Sequence, residues 1–263
     1  MKKYLVIGNP IDHSLSPKLH NYWIRENNLK AIYEKKQLDK NEIENLVIHA
    51  KERKISGFNV TVPYKKEVIK HLDELTPEAG STQSVNTVFL KDKKLIGHNT
   101  DIIGFELSIK KIKFDVANKK ILILGAGGVV PSIIFALNKM GAGSIIVTNR
   151  TRSKAENLKD LFKNLTITDW GNLIDFDMII NATSVGLKKN DVIDLDFSEI
   201  GKNKTFYDII YNPNETNFLK KGKDLGNKTE NGKMMFIYQA FAAFKIWHNV
   251  EPKINDEVIK LLE

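Results

Sequence analysis

Residues 120–152, KILILGAGGVVPSIIFALNKMGAGSIIVTNRTR, decide the predicted fold because apolar runs alternate there with glycine turns. Ile121–Leu124 and Ser144–Thr148 are short, β-rich apolar runs, and Val129–Met140 carries apolar residues at helical spacing. The pattern predicts a strand, a helix and a second strand. A βαβ unit of about 30 residues is the setting in which a glycine turn indicates a dinucleotide-binding site.

The glycine turn itself, Gly125–Gly128, follows the first of these strands. In such a turn one glycine allows the tight bend and a second lets the backbone approach a pyrophosphate, which binds free N–H groups at the helix N-terminus. The pattern is not a plain GxGxxG, since Val130 or Ser132 takes the third small position, but Pro131 is tolerated in the first helical turn. We expect a pyrophosphate here; a glycine turn without a ligand is the alternative.

The end of the second strand indicates which dinucleotide binds. A cofactor that lacks a 2′-phosphate prefers a carboxylate about 20 residues after the glycine turn, where it bonds the ribose 2′-hydroxyl. The residues that stand there are Asn149, Arg150, Thr151, Arg152 and Lys154, with no acid among them. Three cations and small polar donors suit a 2′-phosphate, which arginine binds in a fork. The sequence therefore predicts NADP and not NAD, with ordinary solvated charges at the start of the next helix as the alternative.

The composition excludes several classes of protein. The chain has 263 residues, enough for one large or two modest domains, and is 42% hydrophobic and 27% charged, as expected of a soluble protein. It contains no cysteine, which excludes disulfides, thiolate catalysis and cysteine-bound metals. No apolar run approaches the roughly 20 residues of a membrane span, and the run after Met1 is too short for a signal peptide. We expect a cytoplasmic protein with no membrane partner.

The net charge of +8 raises the question of nucleic acid. However, the lysines are spread along the chain, and no zinc-finger, RNP or helix-turn-helix pattern accompanies them. Binding of phosphates and carboxylates explains the positive excess, so we expect no nucleic-acid partner. His13, His20 and His98 lack the spacing of metal ligands, and no metal site is expected.

Periodicity and turn residues divide the rest of the chain into alternating strands and helices. Strands are predicted at 3–8, 31–35, 57–62, 165–168, 178–182 and 205–210, and a hairpin at 85–90 and 94–98. Helices are predicted at 18–26, 41–54, 65–72, 100–110 and 234–247. The first helix is expected to have Ser16 as its N-cap and Pro17 at its first position. A complete α/β unit thus precedes the dinucleotide-binding unit.

Polar residues follow the strands of this first unit, at Ser14–Pro17, Asn59–Lys65, Asn86 and Asn99–Asp101. Ligands bind at the ends of strands in open α/β sheets, and these hydroxyls, amides, lysine and carboxylate suit a small, hydroxylated anion. Taken singly, each also has an ordinary explanation as a helix cap, a turn residue, a surface lysine or an acid at a helix N-terminus.

These patches belong to a longer series of motifs that covers nearly the whole chain. The motifs are Ser14-Leu15-Ser16-Pro17, Asn59-Val60-Thr61-Val62-Pro63-Tyr64-Lys65, Gly97-His98-Asn99-Thr100-Asp101-Ile102-Ile103-Gly104, Gly125-Ala126-Gly127-Gly128, Asn149-Arg150-Thr151, Asn181-Ala182-Thr183-Ser184, Tyr207-Asp208-Ile209-Ile210-Tyr211-Asn212-Pro213, Asn231-Gly232 and Tyr238-Gln239-Ala240. In this order, the series resembles the shikimate dehydrogenase family, and so many motifs together are specific to it.

The resemblance implies an NADP-dependent, reversible reduction of 3-dehydroshikimate to shikimate in chorismate and aromatic amino-acid biosynthesis, with Lys65 and Asp101 as the catalytic pair. The implied substrate-binding residues are Ser14, Ser16, Asn59, Thr61, Lys65, Asn86, Asp101, Tyr211 and Gln239. The implied cofactor-binding residues are Gly125, Ala126, Gly127, Gly128, Val129, Asn149, Arg150, Thr151, Arg152, Lys154, Thr183, Ile209 and Gly232.

The resemblance also implies a fold. Residues 1–102 and 237–263 are expected to form an N-terminal α/β substrate domain, and residues 103–236 a C-terminal Rossmann-type NADP-binding domain, with a cleft between them. Members of the family occur as monomers and as homodimers. Pro131, Ile209 and Pro77 depart from residues common in the family. The first two concern the cofactor side, and none of the three touches the proposed pair.

Two alternatives stay open at this point. A quinate/shikimate dehydrogenase accepts a further hydroxyl and can use NAD, although the cationic segment 149–154 argues against NAD. A non-catalytic, dinucleotide-responsive binding protein would be expected to lack Lys65 or Asp101, and both are present. The sequence also leaves open whether the lysine alone acts as the acid and base.

Overall fold

The computed structural model describes residues 1–262, in two units that each contain a six-stranded sheet. Met1–Gly104 and the segment from Ile237 onward form the first unit, and Phe105–Phe236 forms the second. The strands are β1 Lys2–Gly8, β2 Ala31–Gln37, β3 Gly57–Val60, β4 Glu74–Leu75, β5 Thr87–Lys91, β6 Lys94–His98, β7 Lys120–Leu124, β8 Ser144–Thr148, β9 Thr166–Thr168, β10 Met178–Asn181, β11 Thr205–Asp208 and β12 Lys228–Glu230.

The helices are α1 Ser16–Glu26, α2 Ile43–Lys51, α3 Pro77–Thr82, α4 Asp101–Lys111, α5 Val130–Lys139, α6 Arg152–Glu156, α7 Asn217–Asp224, α8 Lys233–His248 and α9 Asp256–Leu261. Short 3₁₀ turns occupy Lys40–Glu42, Glu67–His71 and Asn157–Asp160. Within residues 1–262, no helix has both the length and the apolar character needed to cross a membrane.

The sheet of the first unit is mixed, in the order β2-β1-β3-β5-β6-β4. Strand β1 lies between β2 and β3 and is parallel to both, whereas β5 runs antiparallel to β3 and forms the predicted hairpin with β6. The hairpin turns at Asp92 and Lys93, both with positive φ. A buried core that includes Ile7, Phe58 and Val88 fixes the strands, so the residues just after β3 and β6 are held at defined positions.

The sheet of the second unit is entirely parallel, in the order β12-β11-β10-β7-β8-β9. Numbered within the unit, this is the 3-2-1-4-5-6 order of a Rossmann fold, whose switch point lies between its first and fourth strands, here β7 and β10. Ile121–Leu124 are fully buried, as strands of parallel sheets are when helices cover both faces. The predicted α/β class, with a Rossmann-type sheet after the first unit, is therefore confirmed.

Two local predictions in the first unit are wrong. Residues 65–72 do not form an α-helix, because the carbonyl of Lys65 accepts from Val85 N (2.9 Å), and Ile69 N turns to the carbonyl of Lys66 instead (3.3 Å). Only a 3₁₀ turn follows. Ser16 is not an N-cap either: α1 begins at Ser16 itself, with Leu15 in the cap position and no capping side chain.

The other predicted elements are present with shifted ends. The helix predicted at 41–54 is shorter, Ile43–Lys51, and the strand predicted at 205–210 stops at Asp208. Three short helices were not predicted, namely α3, α7 and α9. Each begins after a residue whose side chain accepts a bond from the first turn: Thr76, Thr216 and Asn255.

Candidate active site

Lys65 and Asp101 form a close ion pair in the first unit. Lys65 Nζ lies 2.6 Å from Asp101 Oδ2, and the two side chains are 12% and 8% exposed. Lys65 belongs to the turn after β3, where its carbonyl is held by Val85 N, and Asp101 is the first residue of α4. A charge-assisted bond between side chains with so little solvent around them is strong, and it fixes the ammonium group on one carboxylate oxygen.

The second oxygen of this carboxylate is occupied as well. Asn86 Nδ2 donates to Asp101 Oδ1 (2.9 Å), and the backbone N–H of Asp101 donates to Asn99 Oδ1 (3.1 Å). Asn86 itself is 3% exposed and lies just before β5. Both carboxylate oxygens are therefore bonded, and the backbone of Asp101 is anchored on Asn99, which together set the direction of the lysine ammonium group.

Asn59 lies in β3 and has both ends of its amide bonded within the protein. Its Oδ1 accepts from the Tyr33 hydroxyl (2.6 Å), and its Nδ2 donates to the carbonyl of Asn86 (2.9 Å) and to Thr87 Oγ1 (3.0 Å). This uses the acceptor end and both N–H groups of the amide. The side chain that sequence reasoning placed against substrate is thus engaged inside the sheet, one step behind Asn86.

An aromatic cluster around His20 packs against Tyr33, whose hydroxyl bonds to Asn59. The His20 ring stacks on Tyr33 at 4.2 Å and lies near Trp23, Phe244 and Trp247. Burial, with a smaller contribution from the nearby charge of His248, lowers the pKa of His20 to about 3. Burial likewise raises the pKa of Tyr33 well above its usual value. Both side chains are therefore neutral at physiological pH.

The remaining sequence-predicted residues of the first unit are more accessible. Ser14, Thr61 and Gln239 are half-buried. Ser14 Oγ accepts from the backbone N–H of Ser16 (3.4 Å), which brings the two serines together at the start of α1. Thr61 N donates to the carbonyl of Ile7, directly after β3.

The glycine turn of the second unit leads from β7 to α5 in the predicted way. Gly125 has a φ of +109°, and a Cβ there would lie 2.9 Å from the carbonyl oxygen of Ala182, so the bend requires glycine. Gly127 and Gly128 are exposed, and a Cβ on Gly127 would meet nothing closer than 4.0 Å. Open backbone at the N-terminus of a ten-residue helix fits a dinucleotide pyrophosphate.

The cations after β8 differ in what they contact. Arg152 pairs with Asp169 and with Glu156 (3.1 Å), whereas the exposed side chain of Arg150 has no ion pair within residues 1–262. Asn149 Nδ2 donates to the carbonyl of Thr151 (2.8 Å), which shapes the turn between them. Arg150 and the exposed Lys154, neither of which has an ion pair among residues 1–262, are thus available to a phosphate, whereas Arg152 would first have to separate from its acidic partners.

A buried carboxylate organises the loops after β10 and β11. Asp208 accepts from Thr216 Oγ1 (2.6 Å), Ile210 N (2.9 Å) and Asn181 Nδ2 (3.1 Å), and burial raises its pKa to about 6. Asn181 Oδ1 in turn accepts from Thr183 Oγ1 (2.7 Å). Thr183 and Ile209, two sequence-predicted residues, are therefore positioned by one hydrogen-bonded group.

Two further sequence-predicted residues, Tyr211 and Gly232, belong to the loop after β11 or contact it. A Cβ on Gly232 would overlap the carbonyl oxygen of Ile209, so backbone packs directly on backbone there. Tyr211 stacks on Phe236 with ring centroids 4.5 Å apart. Both contacts lie within the second unit.

Sequence reasoning missed the two threonines that contact Asn86. Thr87 and Thr100 are fully buried, and their hydroxyls lie 3.0 and 3.1 Å from Asn86 Oδ1. Their positions in the sequence were a possible signal, since Thr87 directly follows Asn86 and Thr100 directly precedes Asp101. However, a threonine in a β-rich segment is typical of a strand and does not by itself indicate a site. Among the residues described, no group of three histidine or acidic side chains could hold a metal ion.

A Rossmann-type sheet with a glycine turn at its switch point, preceded by a second α/β unit with a buried lysine–carboxylate pair, defines a two-domain, dinucleotide-dependent oxidoreductase. Comparison with protein families narrows this class. A model described as the shikimate dehydrogenase substrate binding domain matches residues 6–88, and one described as shikimate/quinate 5-dehydrogenase matches residues 106–211.

Individual relatives agree with the family models. The chain is 57% identical to the NADP(+) shikimate dehydrogenase of Pelagibacter ubique strain HTCC1062, over 100% of this chain and 99% of that protein. The solved shikimate dehydrogenase of Aquifex aeolicus has a TM-score of 0.92 and 39% identity, with 100% of this chain and 97% of that chain covered. The shikimate 5-dehydrogenase of Thermus thermophilus, solved with NADP(H) and shikimate, has a TM-score of 0.91 and 30% identity, with 100% and 98% covered.

The chain belongs to the shikimate dehydrogenase family. The family and the enzyme class predicted from the sequence motifs are thereby confirmed.

Proposed function

We propose that the protein catalyses the reversible, NADPH-dependent reduction of 3-dehydroshikimate to shikimate, a step of chorismate and aromatic amino-acid biosynthesis. The observation that carries the proposal is the buried pair of Lys65 and Asp101, 2.6 Å apart beside Asn86, in a chain of this family. NADP is the cofactor of the 57% identical relative, and the exposed Arg150 after β8 suits its 2′-phosphate.

The proposed catalytic role of Lys65 follows from its surroundings. When bound, NADPH supplies a hydride to the ketone carbon of the substrate. Negative charge then develops on the carbonyl oxygen, and an ammonium group at Lys65 Nζ stabilises that charge and supplies the proton. Asp101 holds the ammonium group in place through Oδ2, while Asn86 occupies Oδ1.

The substrate side is proposed to lie in the first unit. Ser14 and Ser16, which are brought together at the start of α1, would bind the carboxylate of the substrate. Thr61, Asn86, Asp101 and Gln239 would bind the ring hydroxyls. We place Asn59 behind this set, because its amide is already bonded to Tyr33, Asn86 and Thr87.

The cofactor side is proposed to lie in the second unit. The turn from Gly125 to Val129, with Ala126, Gly127 and Gly128, would hold the pyrophosphate, and Asn149 to Lys154 would hold the adenosine 2′-phosphate. Ile209 and Gly232 would face the nicotinamide, and Thr183 would also contact the cofactor. The open space at Gly127 and its place just before the N-terminus of α5 support this assignment.

The test is a crossed comparison of steady-state turnover with shikimate or quinate and with NADP or NAD, followed by the absorbance of the reduced nicotinamide. The proposal expects turnover with shikimate and NADP far above the other three pairs. Comparable turnover with quinate or NAD would indicate a quinate/shikimate dehydrogenase. A folded protein that binds NADPH and turns over none of the pairs would be a non-catalytic binding protein, and the proposal would be wrong.

We further propose that the enzyme works in a reducing cytoplasm, as a monomer or a homodimer. A chain without cysteine gains nothing from an oxidising compartment. Light scattering during size exclusion would distinguish the two oligomeric states, and repetition with shikimate and NADP present would show whether ligands change the result.

A further inference from the structure

The amide oxygen of Asn86 accepts an unusual number of hydrogen bonds. Thr100 N lies 2.8 Å from Asn86 Oδ1, Thr100 Oγ1 lies 3.1 Å away, and Thr87 Oγ1 lies 3.0 Å away. A carbonyl oxygen has two lone pairs, so three donors saturate it. Neither threonine touches the Lys65–Asp101 pair through its hydroxyl, and the family roles implied by the sequence motifs do not include them.

The Asn59 side chain fixes the direction of the Thr87 hydroxyl. Asn59 Nδ2 donates to Thr87 Oγ1 (3.0 Å), and the other end of the Asn59 amide is held by the Tyr33 hydroxyl. Since Thr87 Oγ1 accepts there, its single hydrogen is left to point at Asn86 Oδ1 or at Thr100 Oγ1, 3.2 Å away. The chain of bonds thus runs from Tyr33 through Asn59 and Thr87 to Asn86.

This arrangement decides which way the Asn86 amide faces. The backbone N–H of Thr100 can only donate, so the atom beside it must be the oxygen of the amide. A flipped amide would place N–H groups against this donor and an oxygen against Asp101 Oδ1. Asn86 therefore presents an N–H to the carboxylate, and its second N–H has no partner within residues 1–262.

We propose that the hydroxyls of Thr87 and Thr100 are positioning groups of the reaction, because together with the backbone N–H of Thr100 they hold the Asn86 amide oxygen, so that N–H groups, and not this oxygen, face Asp101 and a substrate hydroxyl. The proposal rests on the function proposed above. A substrate hydroxyl that accepts from Asn86 can still donate to Asp101, whereas a flipped amide would compete with the carboxylate for the same hydrogen. The fixed amide therefore sets how the substrate is oriented towards Lys65.

The test compares Thr100→Val, which keeps the shape of the side chain and removes the hydroxyl, with Thr100→Ser, which keeps the hydroxyl. Thr87→Val removes the second hydroxyl. Thr205→Val, at a buried strand position of the second unit, is the matched control. Measurements are kcat and KM with shikimate and NADP, NADPH affinity by fluorescence titration, and the urea midpoint of unfolding.

We expect Thr100→Val and Thr87→Val each to lower kcat/KM for shikimate about 3- to 10-fold, the value of one net hydrogen bond. Thr100→Ser and Thr205→Val should stay within about twofold of the parent, and NADPH affinity should not change. The deciding result is the double mutant. In an Asn86→Ala background Thr100→Val should have no further effect, because the amide it orients is gone.

Three results would overturn the proposal. They are an unchanged kcat/KM in Thr100→Val and Thr87→Val, an equal loss in Thr100→Ser, or an effect of Thr100→Val that persists in full without the Asn86 side chain. If Thr100→Val fails to fold, Thr87→Val in the same two backgrounds decides. Absence of turnover in the parent protein is a separate outcome, which would overturn the proposed function and this inference together.

Discussion

The two candidate ligand sites are built on opposite principles. In the first unit, side chains bond to one another: Lys65 and Asn86 both contact Asp101, and each is largely buried. In the second unit, the glycine turn offers exposed backbone, and the neighbouring Arg150 is exposed and without an ion pair among residues 1–262. Proton transfer requires one fixed geometry, whereas phosphates are bound by charge and by N–H groups that any polyanion can reach.

Removal of the ammonium group of the first site should have the greatest effect on catalysis. We expect Lys65→Ala to lower kcat about 100- to 10,000-fold with little change in KM, since a positioned acid is lost while most substrate contacts stay. Steady-state kinetics with shikimate and NADP measure both constants. Lys66→Ala, at the exposed neighbouring lysine, should keep parental kinetics. An unchanged kcat in Lys65→Ala would exclude this lysine as the proton donor.

The second site should respond to backbone changes instead. Gly125→Ala should lower the free energy of unfolding by about 1–3 kcal/mol, because φ is +109° there and the added methyl group meets the Ala182 carbonyl. Gly127→Ala should leave that free energy unchanged, since its surroundings are open, yet weaken NADPH binding where backbone approaches a pyrophosphate. Urea unfolding and NADPH titration separate the two effects. A Gly127→Ala variant with parental affinity would place the pyrophosphate elsewhere.

The two arginines after β8 differ in whether an acidic side chain already pairs with them. Arg150→Ala should weaken NADP binding about 10- to 100-fold, the value of a charge-assisted hydrogen bond, and leave NAD binding unchanged. Arg152→Ala should have a smaller effect, because Arg152 is already paired with Asp169 and Glu156. Titration of each variant with NADP and NAD measures the ratio. An equal loss for both cofactors in Arg150→Ala would contradict a role at the 2′-phosphate.

The smallest predicted effect concerns the aromatic cluster around His20 and its contribution to the free energy of unfolding. The pKa of His20 is about 3 in the folded protein and 6.5 in an unfolded chain, so the unfolded state binds more protons between these values. Stability is complete above pH 6.5 and falls as pH decreases, by about 1.4 kcal/mol per pH unit from this group. His248, with a pKa of about 4, acts in the same direction.

Urea unfolding at pH 7.5 and pH 5.5 tests this contribution. Between pH 7.5 and pH 5.5, the free energy of unfolding should fall about 1.4 kcal/mol less in His20→Phe than in the parent. Only the single pH unit below 6.5 contributes, because the unfolded histidine is largely neutral above that pH. His13→Gln, at an exposed histidine, should keep the parental dependence. A parental slope in His20→Phe would show that His20 is protonated in the folded state.

The sequence predicted elements best where local pattern and tertiary structure agree. β7, α5 and β8 lie within one residue of their predicted ends, because apolar runs and glycine turns define them without help from elsewhere. The helix predicted at 65–72 failed because Val85, from another segment, takes the carbonyl of Lys65. No periodicity within 65–72 carries that information.

In the candidate site, the sequence predicted which residues come together but not the hydrogen bonds that hold them. Lys65, Asn86 and Asp101 were predicted from motif resemblance, and the structure brings them together. What sequence could not provide was the set of bonds behind them, because a hydrogen bond between Thr87 and Asn86 or between Thr100 and Asn86 depends on side-chain direction. The sequence also does not predict the ion pair between Arg152 and Asp169, since the two residues belong to different segments.

The contact of Gly232 with the carbonyl of Ile209 has a consequence for the mutability of this enzyme. A first side-chain carbon at position 232 would overlap that oxygen, so every codon change that alters the amino acid there meets the same obstacle. In a library that randomises all positions and selects for shikimate turnover, we expect position 232 to return glycine alone. Gly127, with open space around it, should instead admit alanine among variants selected only for folding.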